Sequence, residues 1–174
     1  MDKYGSNTYV DVNYHLYRDN NGKNLKKMQE MCQELGFALS TVQALVMPLE
    51  RAIDYCEGKP SADTIALSKN LLVDIGEGIK ASSVVKSEGC PFRDNQININ
   101  FDLNVPVCCT VSYRLTSTVN RNYLTATLPE ISHGKENAKI CTKCMSFGLP
   151  EYNLGYNKKG WDEIAATKTS LDVA

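Results

Sequence analysis

The sequence predicts an α+β fold, with three helices packed on one face of an antiparallel sheet of about four strands. Apolar residues recur at helical spacing between residues 25 and 79. They alternate with polar residues near the start of the chain and again from residue 97 onwards, where short connections favour an antiparallel meander. A chain of 174 residues fits one domain that buries its own core.

The first half of the chain predicts one strand and then three helices. Residues 9 to 17 alternate between apolar and polar side chains, as a half-buried strand does, and a first helix follows a turn. A second helix is predicted after Ser40, with a kink or break near Met47 because Pro48 lies inside it. The third and central helix begins after Ser61, which is a credible N-cap.

The second half predicts three strands and an irregular end. The alternating runs cover residues 97 to 103, 107 to 115 and 123 to 128. Beyond them, the region from 129 to 160 is rich in Gly, Asn, Lys and Pro, and a short helix is expected around Trp161. We therefore divide the chain into an α+β body at residues 1–128 and a loop-rich appendage at 129–174.

Two glycines interrupt the apolar run "LLVDIGEGIKA". Gly76 and Gly78 loosely resemble a dinucleotide-binding fingerprint, but a true one lies in a parallel βαβ unit that this pattern does not predict. We interpret them instead as positions where helices pack closely or where the helix begins to end.

Composition limits the function classes. Nineteen basic and twenty acidic residues give a formal net charge of −1, which provides no overall attraction to nucleic acid or anionic membranes. Apolar runs are far shorter than the ~20 residues that cross a bilayer, and the N-terminus lacks the pattern of a secretory signal. We therefore expect a cytoplasmic, intracellular protein with reduced thiols.

Seven cysteines include one CxxC pair, in "AKICTKCMSFG". Cys32 and Cys56 lie on apolar helix stripes, and alternation along the predicted strand turns Cys109 towards the core and leaves Cys108 accessible. A zinc site would draw its ligands from the remaining four cysteines, with His133 as a substitute ligand. These four are Cys90, Cys108, Cys141 and Cys144.

The CxxC pair has other interpretations. The alternatives to zinc are a disulfide, either Cys141 to Cys144 or a longer one, and ordinary thiols without a shared role. A thioredoxin-type pair would have to open a helix, and Gly148 and Pro150 follow too soon for the sequence to predict one.

Catalysis has few candidate groups, and we assign no catalytic residue. A small enzyme with a Cys/His site would use His133 with Cys141 or Cys144, both in the appendage. Such an enzyme would need a cleft with convergent polar groups around His15 or His133.

The appendage is locally basic, which makes nucleic acid an alternative partner. Lysines alternate with aromatic residues there, a combination that holds phosphates and stacks bases. The candidate contacts are Lys139, Lys143, Lys158 and Lys159. A nucleic-acid-binding protein with a zinc-ordered C-terminal segment is thus the alternative function.

The preferred interpretation is a non-enzymatic protein that acts by protein–protein contact or self-association. It would serve as an assembly, structural or regulatory subunit, a role compatible with a viral or phage accessory or structural protein. Aromatic anchors on a segment that follows a compact body suit docking into a partner. The predicted contact residues are Tyr152, Tyr156, Trp161 and Ile164.

Overall fold

The computed structural model of the chain describes residues 9–85, 89–112 and 117–171. Over these ranges it contains nine α-helices and two sheets of two strands each. The predicted antiparallel sheet of about four strands with three helices on one face is therefore wrong. None of the helices in these ranges is long and apolar enough to cross a membrane.

The elements follow one another with short connections. In chain order they are β1 (Asp11–Leu16), α1 (Lys23–Leu35), β2 (Ala38–Gln43), α2 (Leu49–Cys56), α3 (Ala62–Asn70), α4 (Ile75–Ser82), α5 (Pro91–Asp94), β3 (Val105–Pro106), β4 (Thr118–Asn120), a 3₁₀ turn (Tyr123–Thr125), α6 (Leu128–Glu136), α7 (Lys139–Ser146), α8 (Leu149–Asn153) and α9 (Lys158–Leu171).

The first three elements form a parallel βαβ unit. β1 pairs with β2 in parallel, from Asp11 opposite Ala38 to Leu16 opposite Gln43, and α1 connects them. The predicted first strand and first helix are confirmed. The predicted second helix is wrong in its first half, because pairing with β1 holds those residues extended. The expected break near Met47 is confirmed, since α2 begins only at Leu49.

The predicted central helix is two helices. Ser61 is the N-cap of the first, as predicted, and its Oγ accepts a hydrogen bond from the Thr64 N–H at 3.2 Å. A buried, non-helical segment separates the two helices and consists of Leu71, Leu72 and Val73. Asp74 caps the second helix in a capping box with Glu77, so a new N-terminus interrupts the apolar stripe.

The three predicted strands of the second half are largely absent from the described residues. Only residues 105–106 and 118–120 pair, and residues 113–116 lie outside the described ranges. Asp and Asn side chains bind neighbouring backbone here and compete with a strand ladder: the Asn104 N–H donates to Asp102 Oδ1 at 3.2 Å, and the Leu124 N–H donates to Asn122 Oδ1 at 3.0 Å.

One hydrophobic core joins the two predicted parts of the chain. Residues between 44 and 75 pack with residues of α7, α8 and α9. The core therefore contains residues from both sides of the boundary that was predicted after residue 128. The predicted irregular appendage is instead the helices α6 to α9. The C-terminal members of the core are Cys144, Leu149, Tyr152, Trp161 and Ala165.

Two aromatic rings lie at the centre of this core. The ring centroids of Tyr152 and Trp161 are 5.6 Å apart, and the Trp161 indole N–H donates to Ser82 Oγ at 3.0 Å. A Cβ atom at Gly78 would lie 2.6 Å from Trp161 Cη2 and 2.8 Å from Tyr152 Cε2. The interpretation of Gly78 as a close-packing position is confirmed.

Candidate functional site

Four sequence-distant cysteines line one small pocket, which we call the cysteine pocket. They are the four predicted metal ligands: Cys90, Cys108, Cys141 and Cys144. The pocket has a volume of about 20 Å³, and Leu49, Phe92, Thr110 and Asn153 are among its other lining residues. All seven cysteines of the chain are free thiols. The structure thus brings together the set that the sequence singled out.

Three separate segments carry these cysteines. Cys90 is the N-cap residue of α5, and Cys108 follows β3 in a segment tied to α2 by a hydrogen bond from the Leu49 N–H to the Thr110 carbonyl at 2.7 Å. Cys141 and Cys144 lie three residues apart within α7, a spacing that turns both towards one side of a helix. The expectation that no helix would hold the CxxC pair is therefore wrong.

The neighbouring cysteines 108 and 109 have the opposite burial from the prediction. Cys108 is buried and Cys109 is exposed, because residues 107–112 form no strand and alternation does not apply. His133, the predicted substitute ligand, does not line the cysteine pocket. Its ring lies beside the Asn137 amide, with Nδ1 at 3.3 Å from Nδ2.

Two cations lie close to the cysteine pocket. Lys135 is only 2% exposed, and its ammonium donates to the backbone carbonyls of Phe92, Arg93 and Gln96, which uses all three of its N–H groups. Arg93 lines the pocket and pairs with Asp94 at 2.6 Å. Burial lowers the pKa of Lys135, and the cysteine sulfurs nearby act in the opposite direction.

The thiols of the CxxC pair are protonated at neutral pH in the metal-free protein. Burial raises the pKa of Cys141 to about 11, with a further contribution from Cys108 and Cys90. Burial also raises the pKa of Cys144. A nucleophilic or thioredoxin-type thiol requires a lowered pKa, so this environment favours neither role. Among the described residues, no three His, Cys, Asp or Glu side chains already converge as metal ligands.

A second and larger concavity, which we call the main cleft, lies next to the cysteine pocket. Its volume is about 610 Å³, and Phe92, Thr110 and Asn153 line both spaces. Strand β2 and the start of α9 both contribute to its wall. The residues that line it there are Thr41, Val42, Gln43, Lys158, Trp161 and Asp162. The cleft is therefore assembled from segments over 110 residues apart in the chain.

Two residues that line the main cleft each carry an amide oxygen without a hydrogen-bond partner. Gln43 donates through Nε2 to Asp162 Oδ1 at 3.2 Å, which leaves its Oε1 buried and unpaired. The Oδ1 atom of Asn153 is also buried and unpaired. An unsatisfied buried acceptor costs about 1–3 kcal/mol, so each amide gains if its side chain turns towards a ligand that donates hydrogen bonds. No sequence pattern had singled out either residue, because one lies in a predicted helix and the other in a predicted loop.

The main cleft contains His15 and Cys109, the pair of residue types that an enzyme would require. Burial raises the pKa of the Cys109 thiol, which makes it a weaker nucleophile at neutral pH. The other charged groups of the cleft are occupied with each other, since Lys158 and Asp162 form an ion pair at 2.8 Å. This arrangement suits binding better than acid–base catalysis.

The predicted partner-binding residues are divided between core and surface. Tyr152 and Trp161 are 0% and 2% exposed, so they pack on the chain's own body and are not accessible to a partner as surface anchors. Ile164 also packs partly against the core, and Tyr156 is half-buried.

Three of the four predicted nucleic-acid contacts are paired with carboxylates. Lys143 pairs with Glu57 at 2.5 Å, Lys158 with Asp162 at 2.8 Å, and Lys159 with Glu163 at 3.8 Å. Lys139 is exposed at the start of α7. The local positive charge is consequently smaller than the lysine count indicates.

The burial of Tyr152 predicts a loss of stability in alkali. Burial raises its pKa to about 12 from 10.0, while the Val46 N–H donates to its Oη at 3.3 Å. Because the folded-state pKa is the higher one, the unfolded chain loses this proton first, and the stabilisation present below pH 10 disappears as pH rises towards 12. We expect a loss of about 2 kcal/mol in the free energy of unfolding over this range.

Urea titrations at several alkaline pH values measure this loss. Tyr152→Phe is the matched control, because it keeps the ring and removes the ionisable hydroxyl. A wild-type curve whose pH dependence equals that of Tyr152→Phe would contradict the assignment.

No protein-family model, no curated protein and no solved structure shows a significant match to this chain.

Proposed function

We propose that the protein is a non-enzymatic binding protein that acts by contact with another protein chain, as an assembly, structural or regulatory subunit. The main cleft is the site at which the partner binds. The observation that carries this proposal is the cleft itself, whose apolar wall holds the unpaired oxygens of Gln43 and Asn153. The proposed contact surface is the cleft as a whole, in which Trp161 lines the wall but is only 2% exposed.

The shape and chemistry of the cleft favour an extended peptide segment. Its volume of about 610 Å³ lies within the range of about 300–1,000 Å³ that is typical of ligand sites. Val42 and Met47 line it and are 42% and 43% exposed, so apolar surface continues to the rim. A peptide supplies apolar side chains for this surface, and its backbone N–H groups pair with the two oxygens once the Gln43 and Asn153 side chains turn into the cleft.

Nucleic acid is not carried forward as a second candidate. The ion pairs of Lys143, Lys158 and Lys159 reduce the free positive charge on which phosphate binding depends. An enzymatic role is not proposed either, because Lys158 and Asp162, the ion pair of the main cleft, bind each other and are not directed at His15 or Cys109.

Site-specific photo-crosslinking in the native host cell tests the proposed contact. A benzophenone amino acid at Val42 reports on the main cleft, and the same group at Ile65, which is 46% exposed and does not line the cleft, is the matched control. We expect a discrete crosslinked species from Val42 and none from Ile65. Mass spectrometry of that species identifies the partner, and a second copy of this chain is one of the identities it can return.

Affinity for the crosslinked segment then tests the two oxygens. Gln43→Leu and Asn153→Leu should each weaken binding of the corresponding synthetic peptide about 5- to 30-fold, because a lost hydrogen bond costs about 1–2 kcal/mol. Equal crosslinking from Val42 and Ile65, or unchanged affinity in both leucine variants, would argue against the cleft as the contact site.

A further inference from the structure

We infer that Cys90, Cys108, Cys141 and Cys144 together bind one zinc ion in the cysteine pocket. This metal site is independent of the partner contact in the main cleft. It stands on three observations: four cysteines are among the residues that line one pocket, the pocket is small, and two positively charged side chains lie beside it.

The convergence is selective among the seven cysteines. The four that line the pocket come from α5, from the segment after β3 and from α7, at positions separated by up to 54 residues. The other three lie elsewhere: Cys32 is buried on α1, Cys56 is on α2, and Cys109 is exposed. Four thiolates around one point are the ligand set that selects zinc or an iron–sulfur centre.

The size of the pocket decides between these two. A volume of about 20 Å³ is close to that of a single water-sized sphere, for which about 10–15 Å³ is required. One metal ion fits this space, whereas a cluster of several iron and sulfide ions would need the walls to move apart. A mononuclear zinc centre is therefore the assignment.

Zinc binding requires the four cysteine side chains to lose their protons and to reorient. Cysteine binds zinc as the thiolate, so one Zn²⁺ enters, four Zn–S bonds form and the proton of each thiol leaves to solvent. Since no three ligands already converge among the described residues, the sulfurs must turn from the pocket wall towards its centre. The segments that carry them are already held in place, Cys90 by the hydrogen bond from its N–H to Asp94 Oδ2 at 3.0 Å.

The local charge suits the resulting complex. Four thiolates and one Zn²⁺ carry a net charge of −2, which is costly in a buried position unless cations lie nearby. Lys135 is buried and fixed by three carbonyls of the turn that follows Cys90, and Arg93 lines the pocket itself. A buried lysine is uncommon, and a thiolate centre beside it accounts for its position.

Native mass spectrometry of the full chain, purified under reducing conditions without chelator, tests the inference. We expect one zinc per chain in the wild type and in Cys109→Ser, the matched control, because that thiol does not line the cysteine pocket. Each of the variants Cys90→Ser, Cys108→Ser, Cys141→Ser and Cys144→Ser should bind zinc at least 100-fold more weakly in a competition titration against a chromophoric chelator.

A second measurement on the wild-type chain does not depend on whether the serine variants fold. Adding Co²⁺ to the chain after removal of any bound metal should give intense visible absorption of tetrahedral cobalt and a thiolate-to-cobalt charge-transfer band, with protons released as the thiols bind. Four results would each overturn the four-cysteine zinc assignment. Two of them are a protein mass lower by two hydrogens for each disulfide formed, and iron bound in place of zinc. The others are a metal-free chain that gives no cobalt spectrum, and zinc that persists in Cys90→Ser and Cys108→Ser.

Discussion

Trp161→Ala is expected to lower the free energy of unfolding by about 3–5 kcal/mol. The indole is 2% exposed, packs against Tyr152 with a centroid separation of 5.6 Å, and lies where α4 meets α9. Removing it leaves a large cavity and deprives Ser82 Oγ of its donor. Since small domains are stable by only about 5–15 kcal/mol, this one change removes a large share of the total.

Two variants separate the causes of that loss. Trp161→Phe keeps an aromatic ring but loses the N–H that donates to Ser82, so it should cost less than the alanine variant. Tyr9→Ala is the surface control, because Tyr9 is 78% exposed, and its cost should stay within about 0.5 kcal/mol. Urea unfolding monitored by circular dichroism compares the three. A Trp161→Ala variant as stable as Tyr9→Ala would mean that the C-terminal helices do not belong to the core.

Gly78→Ala is expected to destabilise the fold by about 1–3 kcal/mol, although alanine favours a helix over glycine by about 1 kcal/mol. The added Cβ would meet Trp161 Cη2 at 2.6 Å and Tyr152 Cε2 at 2.8 Å. Both rings are buried and lack space to withdraw, so the helices must move apart.

A double-mutant cycle attributes this cost to the close contact. Trp161→Phe removes the outer ring atoms of the indole, so Gly78→Ala should cost less in that background than in the wild type. Gly76→Ala in the same helix is the control, because the nearest atom to its added Cβ is Tyr55 Oη at 3.1 Å, the end of a half-buried side chain that can move. If Gly78→Ala costs the same with tryptophan or phenylalanine at 161, the contact with the indole is not the cause.

The parts of the fold that the sequence predicted correctly depend on local interactions. Alternation at residues 9 to 17 predicted β1, helical spacing predicted α1, and the hydroxyl of Ser61 predicted a helix N-terminus that the structure confirms. Each signal involves residues within a few positions of one another, so it survives whatever the rest of the chain does. The four-cysteine metal site stays a prediction, and its choice of Cys108 over Cys109 rested on a strand alternation that the structure does not show.

The incorrect predictions concern interactions between distant residues. Residues 41–43 belong to the predicted second helix but pair with β1, and the alternating runs from residue 97 onwards are interrupted by Asp and Asn side chains that bind local backbone. Residues 129 to 160 were expected to be irregular because of their Gly, Asn, Lys and Pro content, whereas the short helix expected around Trp161 is confirmed as part of α9. Burial against α4 stabilises α8 and α9.

The sequence by itself determined which residues have the chemistry to bind a metal and where β1 and α1 lie, and it left two interpretations of Gly78, between which the structure decided. Only the tertiary structure decided that the four cysteines share one pocket, that Lys135 is buried beside them, and that a cleft with two unpaired amide oxygens lies next to it. The physical reason is that burial and convergence are properties of contacts between segments far apart in the chain, and these contacts leave no periodic pattern in the segments themselves.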